Sequence, residues 1–142
     1  MRLLDSTDYA LRVLMLLASA PAGEGKSVEA LARELGGLSR NHLHKIVQQL
    51  TALGITRTAR GAGGGVELAV LPQTVRLGSL VRQLEADQPM AECFRQAGCA
   101  CTLLPTCRLR AMLRTARDGF YGSLEAFTLP DCLTGGALTD RP

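Results

Sequence analysis

The sequence predicts a mainly α-helical fold with one small β-hairpin and a long helix near its C-terminus. Three observations carry that expectation. The composition is 46% hydrophobic but only 4% aromatic, with no tryptophan, so the core must be built from Leu, Val, Ile and Ala, a set that favours helices over a sandwich of sheets. Apolar residues recur at intervals of three and four along most of the chain. The β-prone runs Ile55 to Arg60 and Val66 to Val70 flank the Gly-rich stretch Gly61-Ala62-Gly63-Gly64-Gly65, as two strands and their turn would.

Helix one is expected over residues 5 to 20, with Ala10, Leu11, Leu14, Leu17 and Ala18 inward and Asp5, Ser6 or Thr7 as its cap. Asp8 reads there as a first-turn carboxylate favoured by the helix dipole. Pro21 to Gly25 break the helix. Ser27 caps a second helix with Val28, Leu31, Ala32 and Leu35 on one face, and Gly36-Gly37 end it. Ser39 caps a third, in which Leu43, Ile46, Val47 and Leu50 point inward while Asn41, Lys45 and Gln48 lie outside; Gly54 stops it. Two short helices joined by a glycine turn, the second with a polar and basic face, make a helix-turn-helix, and the hairpin after it makes a wing.

The formal charge of +3 is modest. Between Arg33 and Arg60, however, the cations Arg33, Arg40, Lys45, Arg57 and Arg60 face Glu34 alone. A helix that reads DNA needs long hydrogen-bonding side chains near its N-terminal end, and cations for phosphate. Arg40, Asn41, His42 and Lys45 meet that need, with Ser39 and Gln48 beside them. Arg57 and Arg60 flank the wing, where Gly64 would let backbone approach the duplex. A nucleotide-binding loop is the poorer account of the glycines, because a strand rather than a helix follows them and the stretch 61–65 runs into Val66 and not into Lys-Ser/Thr.

Pro72 and Thr74 precede a fourth helix with Leu77, Leu80, Val81 and Leu84 on one side, reaching about Glu85. Beyond it, four of the five cysteines fall in Cys93 to Cys107 with the spacing Cys-x5-Cys-x-Cys-x5-Cys. Zinc, a thiol switch and an iron–sulfur cluster are the three readings of such a loop. Structural zinc usually wants closer pairs, whereas a cluster accepts thiolates spaced along a loop. Pro105 is expected to open the last helix, in which Leu109, Met112, Leu113, Ala116, Phe120 and Leu124 recur at helical spacing among Arg108, Arg110, Arg114 and Arg117. A stripe that long either packs within the chain or meets its counterpart in a second subunit. Cys132 reads as a small packing residue, and the Gly/Thr-rich end as disordered.

An odd number of cysteines argues against a disulfide framework and for a reducing cytoplasm. Val13 to Ala18 with Ala18-Ser19-Ala20 mimics a signal peptide, but Asp5, Asp8 and Arg12 interrupt it. No stretch approaches the roughly 20 apolar residues that span a membrane, so a soluble protein is expected. Neither Gly-x-Ser-x-Gly nor His-Glu-x-x-His occurs, and the only histidines, His42 and His44, sit on the third helix; no catalytic apparatus is visible.

Five short segments then read together: Thr7-Asp8-Tyr9-Ala10-Leu11-Arg12, Ser39-Arg40-Asn41-His42-Leu43, Arg60-Gly61 with Gly64-Gly65, Cys107-Arg108-Leu109, and Thr128-Leu129. In these the chain resembles, over residues 1 to 133, the IscR-type iron–sulfur winged-helix regulators. Its Ser-Arg-Asn-His run looks like the nitric-oxide-sensing branch, and Arg110 stands where IscR-like members carry a histidine ligand three residues after their last cysteine. The resemblance implies a homodimeric bacterial repressor on an inverted-repeat DNA operator, released when nitric oxide reacts with a 4Fe–4S cluster (2Fe–2S being the alternative), one per subunit. It implies three cysteine ligands and, as in some members, an aspartate from the other chain. Since the family keeps the last gap near five residues, the set is Cys93, Cys101, Cys107 and Asp8 of the partner subunit, with Cys99 the alternate; ligation by all four cysteines would return Asp8 to capping. The expected organisation is 1–85 winged helix-turn-helix, 86–107 cluster-binding loop, 108–133 dimerisation helix and following segment, and 134–142 disordered tail. The rival readings are a regulator of the same fold that senses cluster availability or redox state, and a small electron-transfer protein.

Overall fold

The computed structural model describes residues 2–61, 64–95, 101–103 and 106–133. Residues 8–75 with the segment from Thr128 form one compact unit, and residues 76–127 with the first seven form another.

Helix α1 spans Asp5–Ser19, and from Asp8 onward it belongs to the first unit. Asp5, Ser6 and Thr7, expected as caps, instead lie within its first turn, where the Thr7 amide donates to the Leu4 carbonyl at 3.0 Å. The buried positions Ala10, Val13, Leu14 and Leu17 step by three and four. Val13 thereby takes the inward place expected of Leu11, which is half-buried. Helix α2 spans Val28–Glu34 and α3 spans Arg40–Ala52. Each begins as the sequence indicates, with Ser27 accepting from the Ala30 amide and Ser39 from the His42 amide. Gly36 and Gly37 between them have φ of +79° and +86°, a backbone that side chains with a Cβ rarely adopt. Leu31, Leu43, Ile46, Val47 and Leu50 are buried.

Strands β1, Thr56–Ala59, and β2, Gly65–Leu68, pair antiparallel with Arg57 opposite Glu67. Lys26 bridges the far side of β2, exchanging both backbone bonds with Val66 at 2.9 and 2.8 Å. That third strand segment explains Gly65: a Cβ there would stand 2.6 Å from the Lys26 carbonyl oxygen. The unit closes where the Leu129 amide donates to the Val75 carbonyl, joining two short 3-10 turns, Pro72–Thr74 and Leu129–Cys132.

In the second unit, α4 spans Leu77–Leu84 and α5 spans Arg108–Glu125. The expected helix opening at Pro105 is corrected in part: α5 starts at Arg108 with Cys107 as its N-cap residue, and Pro105 itself lies outside the described residues, as does the 134–142 tail. Gly78, Leu80, Val81 and Leu84 of α4 are buried, as is Tyr121 of α5. Arg76 gives α4 no side-chain cap. Its start is satisfied from a distance instead, because the Glu125 carboxylate accepts from the Ser79 amide at 2.6 Å and from its hydroxyl at 2.9 Å, and the Phe127 carbonyl accepts from the Leu77 amide. A carboxylate suits a helix N-terminus on both hydrogen-bond and dipole grounds. Arg82 bonds Asp118 at 3.0 Å and lies 4.6 Å over the Tyr121 ring, and this bond holds the Asp118 carboxyl below its usual range.

The long stripe of α5 is only partly covered. Leu113, Phe120 and Leu124 are half-buried, while Leu109 and Met112 are 58% and 59% exposed and Ala116 is exposed. Among the described residues no helix is long and apolar enough to cross a membrane.

Candidate nucleic-acid interface and metal-binding loop

The basic face of α3 follows from its buried one. With Leu43, Ile46, Val47 and Leu50 inward, the helical repeat turns Asn41, Lys45 and Gln48 outward on a single side. Ser39, Arg40, Asn41, Lys45 and Gln48 are all exposed, as are Arg57 and Arg60 at the wing; His42 and Gly64 are half-buried. His42 sits edge-on to Tyr9, ring centroids 5.8 Å apart, which ties the start of α3 to α1. Ser39 spends its hydroxyl on the His42 amide. At the wing the Gly64 amide donates to the Gly61 carbonyl at 2.9 Å, and a Cβ on Gly64 would meet the Ala59 carbonyl oxygen at 2.5 Å. The turn therefore demands glycine at 64 for reasons of its own.

Two of the arginines expected to contact DNA already have carboxylate partners. Arg57 Nε lies 2.7 Å from Glu67 Oε1, and Arg40 Nη1 lies 3.4 Å from Glu29 Oε1. Lys45 and Arg60 have no ion-pair partner among the described residues. The arginine groups are well over half exposed, so each pair is worth roughly 0.2–1 kcal/mol and can be exchanged for phosphate. Sequence reasoning missed Glu29 and Glu67, although the hairpin register, once known, puts Glu67 opposite Arg57.

Asp8 does more than face a helix dipole. Its two oxygens take Arg12 Nε at 3.1 Å and Nη2 at 2.8 Å, and the Arg12 guanidinium lies 5.8 Å from the centre of the Tyr9 ring. The pair is about half exposed. A metal would have to compete with Arg12 for this carboxylate.

The cysteine loop is anchored at both ends in the second unit. Cys93 lies in the 3-10 turn Glu92–Phe94, Cys107 occupies the N-cap position of α5 without a side-chain capping bond, and Cys93, Cys101 and Cys107 are half-buried. Cys99 lies outside the described residues. Among those described, no three His, Cys, Asp or Glu side chains stand close enough to hold a metal ion. The donor chemistry nonetheless fits an iron–sulfur cluster: partly accessible thiols along a loop, with few alternative ligands.

Cys132 is exposed, which corrects its expected packing role. Residual burial and Asp131 push its thiol up, so it stays protonated and poorly nucleophilic.

The arginines of α5 also depart from the expected solvated decoration. Arg110 and Arg117 are half-buried, with guanidinium carbons 5.8 and 5.3 Å from the centre of the Phe94 ring. The Nε of each is buried without an acceptor. An orphaned donor costs about 1–3 kcal/mol, whereas a cation on an aromatic face contributes roughly 0.5–2 kcal/mol. The ring thus offsets part of that cost for both, and Arg117 has in addition a long contact of 3.4 Å from Nη2 to the Asp118 carboxylate. Nothing in the local spacing signals this contact.

The comparisons with known proteins agree with this geometry. The NsrR transcriptional regulator of Geobacillus kaustophilus is 40% identical over 133 residues, covering 94% of this chain and 90% of its own. The NsrR transcriptional repressor of Streptomyces coelicolor is 38% identical, covering 100% and 99%. Among solved structures, CymR, the global cysteine regulator of B. subtilis, superposes with a TM-score of 0.72 at 23% identity over 96% of this chain and 98% of that one. IscR of T. potens gives 0.71 at 21% identity over 94% and 86%; both likenesses speak for the winged-helix fold. The Rrf2 family, described as iron-dependent transcriptional regulators, matches residues 3–135. With an exposed basic helix, a glycine-tipped wing and a cysteine loop leading into α5, the chain belongs to the Rrf2 family of transcriptional regulators.

Proposed function

We propose that this protein is a homodimeric repressor of the bacterial cytoplasm that binds an inverted-repeat operator and senses nitric oxide through an iron–sulfur cluster, of the 4Fe–4S type, one per subunit. The observation that carries the DNA-binding half is the outward row Asn41, Lys45 and Gln48 beside the Arg57 and Arg60 wing. The sensing half rests on the NsrR relatives and on the donor set. In this reading Cys93, Cys101 and Cys107 hold the cluster with Asp8 of the partner subunit, Cys99 being the alternate middle ligand. When bound, the cluster would supply iron that nitric oxide attacks.

This chain's own residues do the rest. Arg40, Asn41 and His42, with Ser39 setting the helix start, read base edges; Lys45, Arg57 and Arg60 neutralise phosphate; and Gly64 permits close approach. Arg12 competes with iron for Asp8, so ligation and the Asp8–Arg12 pair are alternatives. Because Tyr9 touches both Arg12 and His42, the choice between them is made next to the start of the reading helix. A two-state element biased by its ligand is the physical form of such a switch.

Titrating nitric oxide into anaerobic, cluster-loaded protein should abolish operator binding; DNA affinity that survives full nitrosylation would sink the sensing role and leave a regulator of cluster availability. A second expectation concerns the interface. Lys45→Ala should weaken binding on all sequences alike and lower the log–log salt slope by about one, whereas Asn41→Ala should change sequence preference. Competition assays at several salt concentrations separate the two.

A further inference from the structure

We propose that Phe94, clamped by Arg110 and Arg117, is a positioning residue that fastens the Cys93 turn to α5 before any iron arrives. The proposal rests on reading Cys93 and Cys107 as ligands. Cys107 is the N-cap residue of α5 and is fixed to that helix by backbone. Cys93 has no such support: its 3-10 turn Glu92–Phe94 is closed by the Phe94 amide to the Ala91 carbonyl and the Arg95 amide to the Glu92 carbonyl, with one exposed Arg95–Glu92 ion pair. A turn this short has too few bonds to hold its own position.

The side chain after Cys93 supplies what the backbone lacks. Arg110 and Arg117 are seven residues apart and so project from one face of α5. Their guanidinium groups stand 5.8 and 5.3 Å from the Phe94 ring centre. The buried Nε of each lacks an acceptor; Arg117 also reaches Asp118 through Nη2 at a long 3.4 Å. Both outer cysteines of the loop are therefore referred to the same helix, Cys107 through the chain and Cys93 through the ring. Two ligands already referred to one helix lower the ordering cost of assembly. Arg110 then acts as a clamp on Phe94 rather than as a ligand.

The test uses the full-length chain, free of cluster and with thiols reduced, treated with iodoacetamide in native buffer while each cysteine is followed by mass spectrometry. Phe94→Ala should raise the alkylation rate of Cys93 about tenfold, in keeping with the strength of a partly desolvated cation–ring contact, and leave Cys107 unchanged. Phe94→Tyr, which keeps the ring, should behave as wild type. Arg110→Gln combined with Arg117→Gln should reproduce the Phe94→Ala result, and carries the test if Phe94→Ala does not fold. Equal Cys93 rates with and without the clamp would overturn the proposal, as would a parallel rise at Cys107, the mark of general loosening. Reconstitution with iron and sulfide is read separately by absorbance: a wild-type chain that takes up no cluster would overturn the ligand assignment and leave the clamp standing.

Discussion

Replacing Gly78 by alanine should destabilise the protein by about 3 kcal/mol, lowering Tm by roughly 10 °C, although alanine is the better helix former by about 1 kcal/mol. The reason lies in the crossing of α4 and α5. A Cβ at Gly78 would run into the Tyr121 carbonyl oxygen and come within 2.7 Å of the Glu125 amide nitrogen and of Glu125 Oε2. Two of these three atoms are helix backbone, which cannot swing aside as a side chain tip can. To admit the methyl group, α5 must move off, and it then takes the Glu125 carboxylate from the Ser79 amide and the Asp118 carboxylate from Arg82. An overpacked contact thus also uncaps α4. Gly119→Ala and Gly122→Ala give the control, since a Cβ at either meets nothing within 4 Å; both should hold or raise Tm. Thermal melts of the three variants decide it, and a Gly78→Ala protein as stable as wild type would refute the close crossing.

Substituting both Leu109 and Met112 with glutamate should leave each monomer folded but split the dimer, and weaken operator binding by about 100-fold or more. In the single chain these side chains are 58% and 59% exposed, and surface changes of that kind typically cost within about 0.5 kcal/mol. Their place on α5 gives them a different weight in an assembly. Leu109, Met112 and Ala116 continue the arc of Leu113, Phe120 and Leu124 beyond the part that the chain itself covers, and a second α5 is the occupant that the proposed dimer supplies. Two linked reading heads gain affinity because the second binding event is intramolecular. Light scattering measures the assembly, and DNA titration at fixed salt measures the consequence. A double variant that remains dimeric would place the interface elsewhere.

The α5 stripe is visible as spacing, and its length points to cover either within the chain or from a second subunit. What spacing did not show is that the stripe divides, with Leu113, Phe120 and Leu124 turned toward cover and Leu109 and Met112 left outside. Gly78 gave no signal at all: in the sequence it is one glycine inside an apolar helix, and only the approach of α5 makes it irreplaceable.

The sequence by itself determined the elements whose causes are local. Ser27 and Ser39 cap because their hydroxyls reach an amide three residues on, Gly36-Gly37 and Gly54 stop helices because the turn needs positive φ, and the buried face of α3 forces Asn41, Lys45 and Gln48 outward. It also marked the cysteine loop through its spacing. Tertiary structure alone decided the contacts between residues far apart in the chain: Glu125 on the start of α4, Glu67 on Arg57, Lys26 against Gly65, and Arg110 and Arg117 near the Phe94 ring. The division has one physical reason. Caps, turns and helix faces are set by a few adjacent residues, whereas a distant carboxylate or ring finds its partner only after the helices have packed and brought the two together.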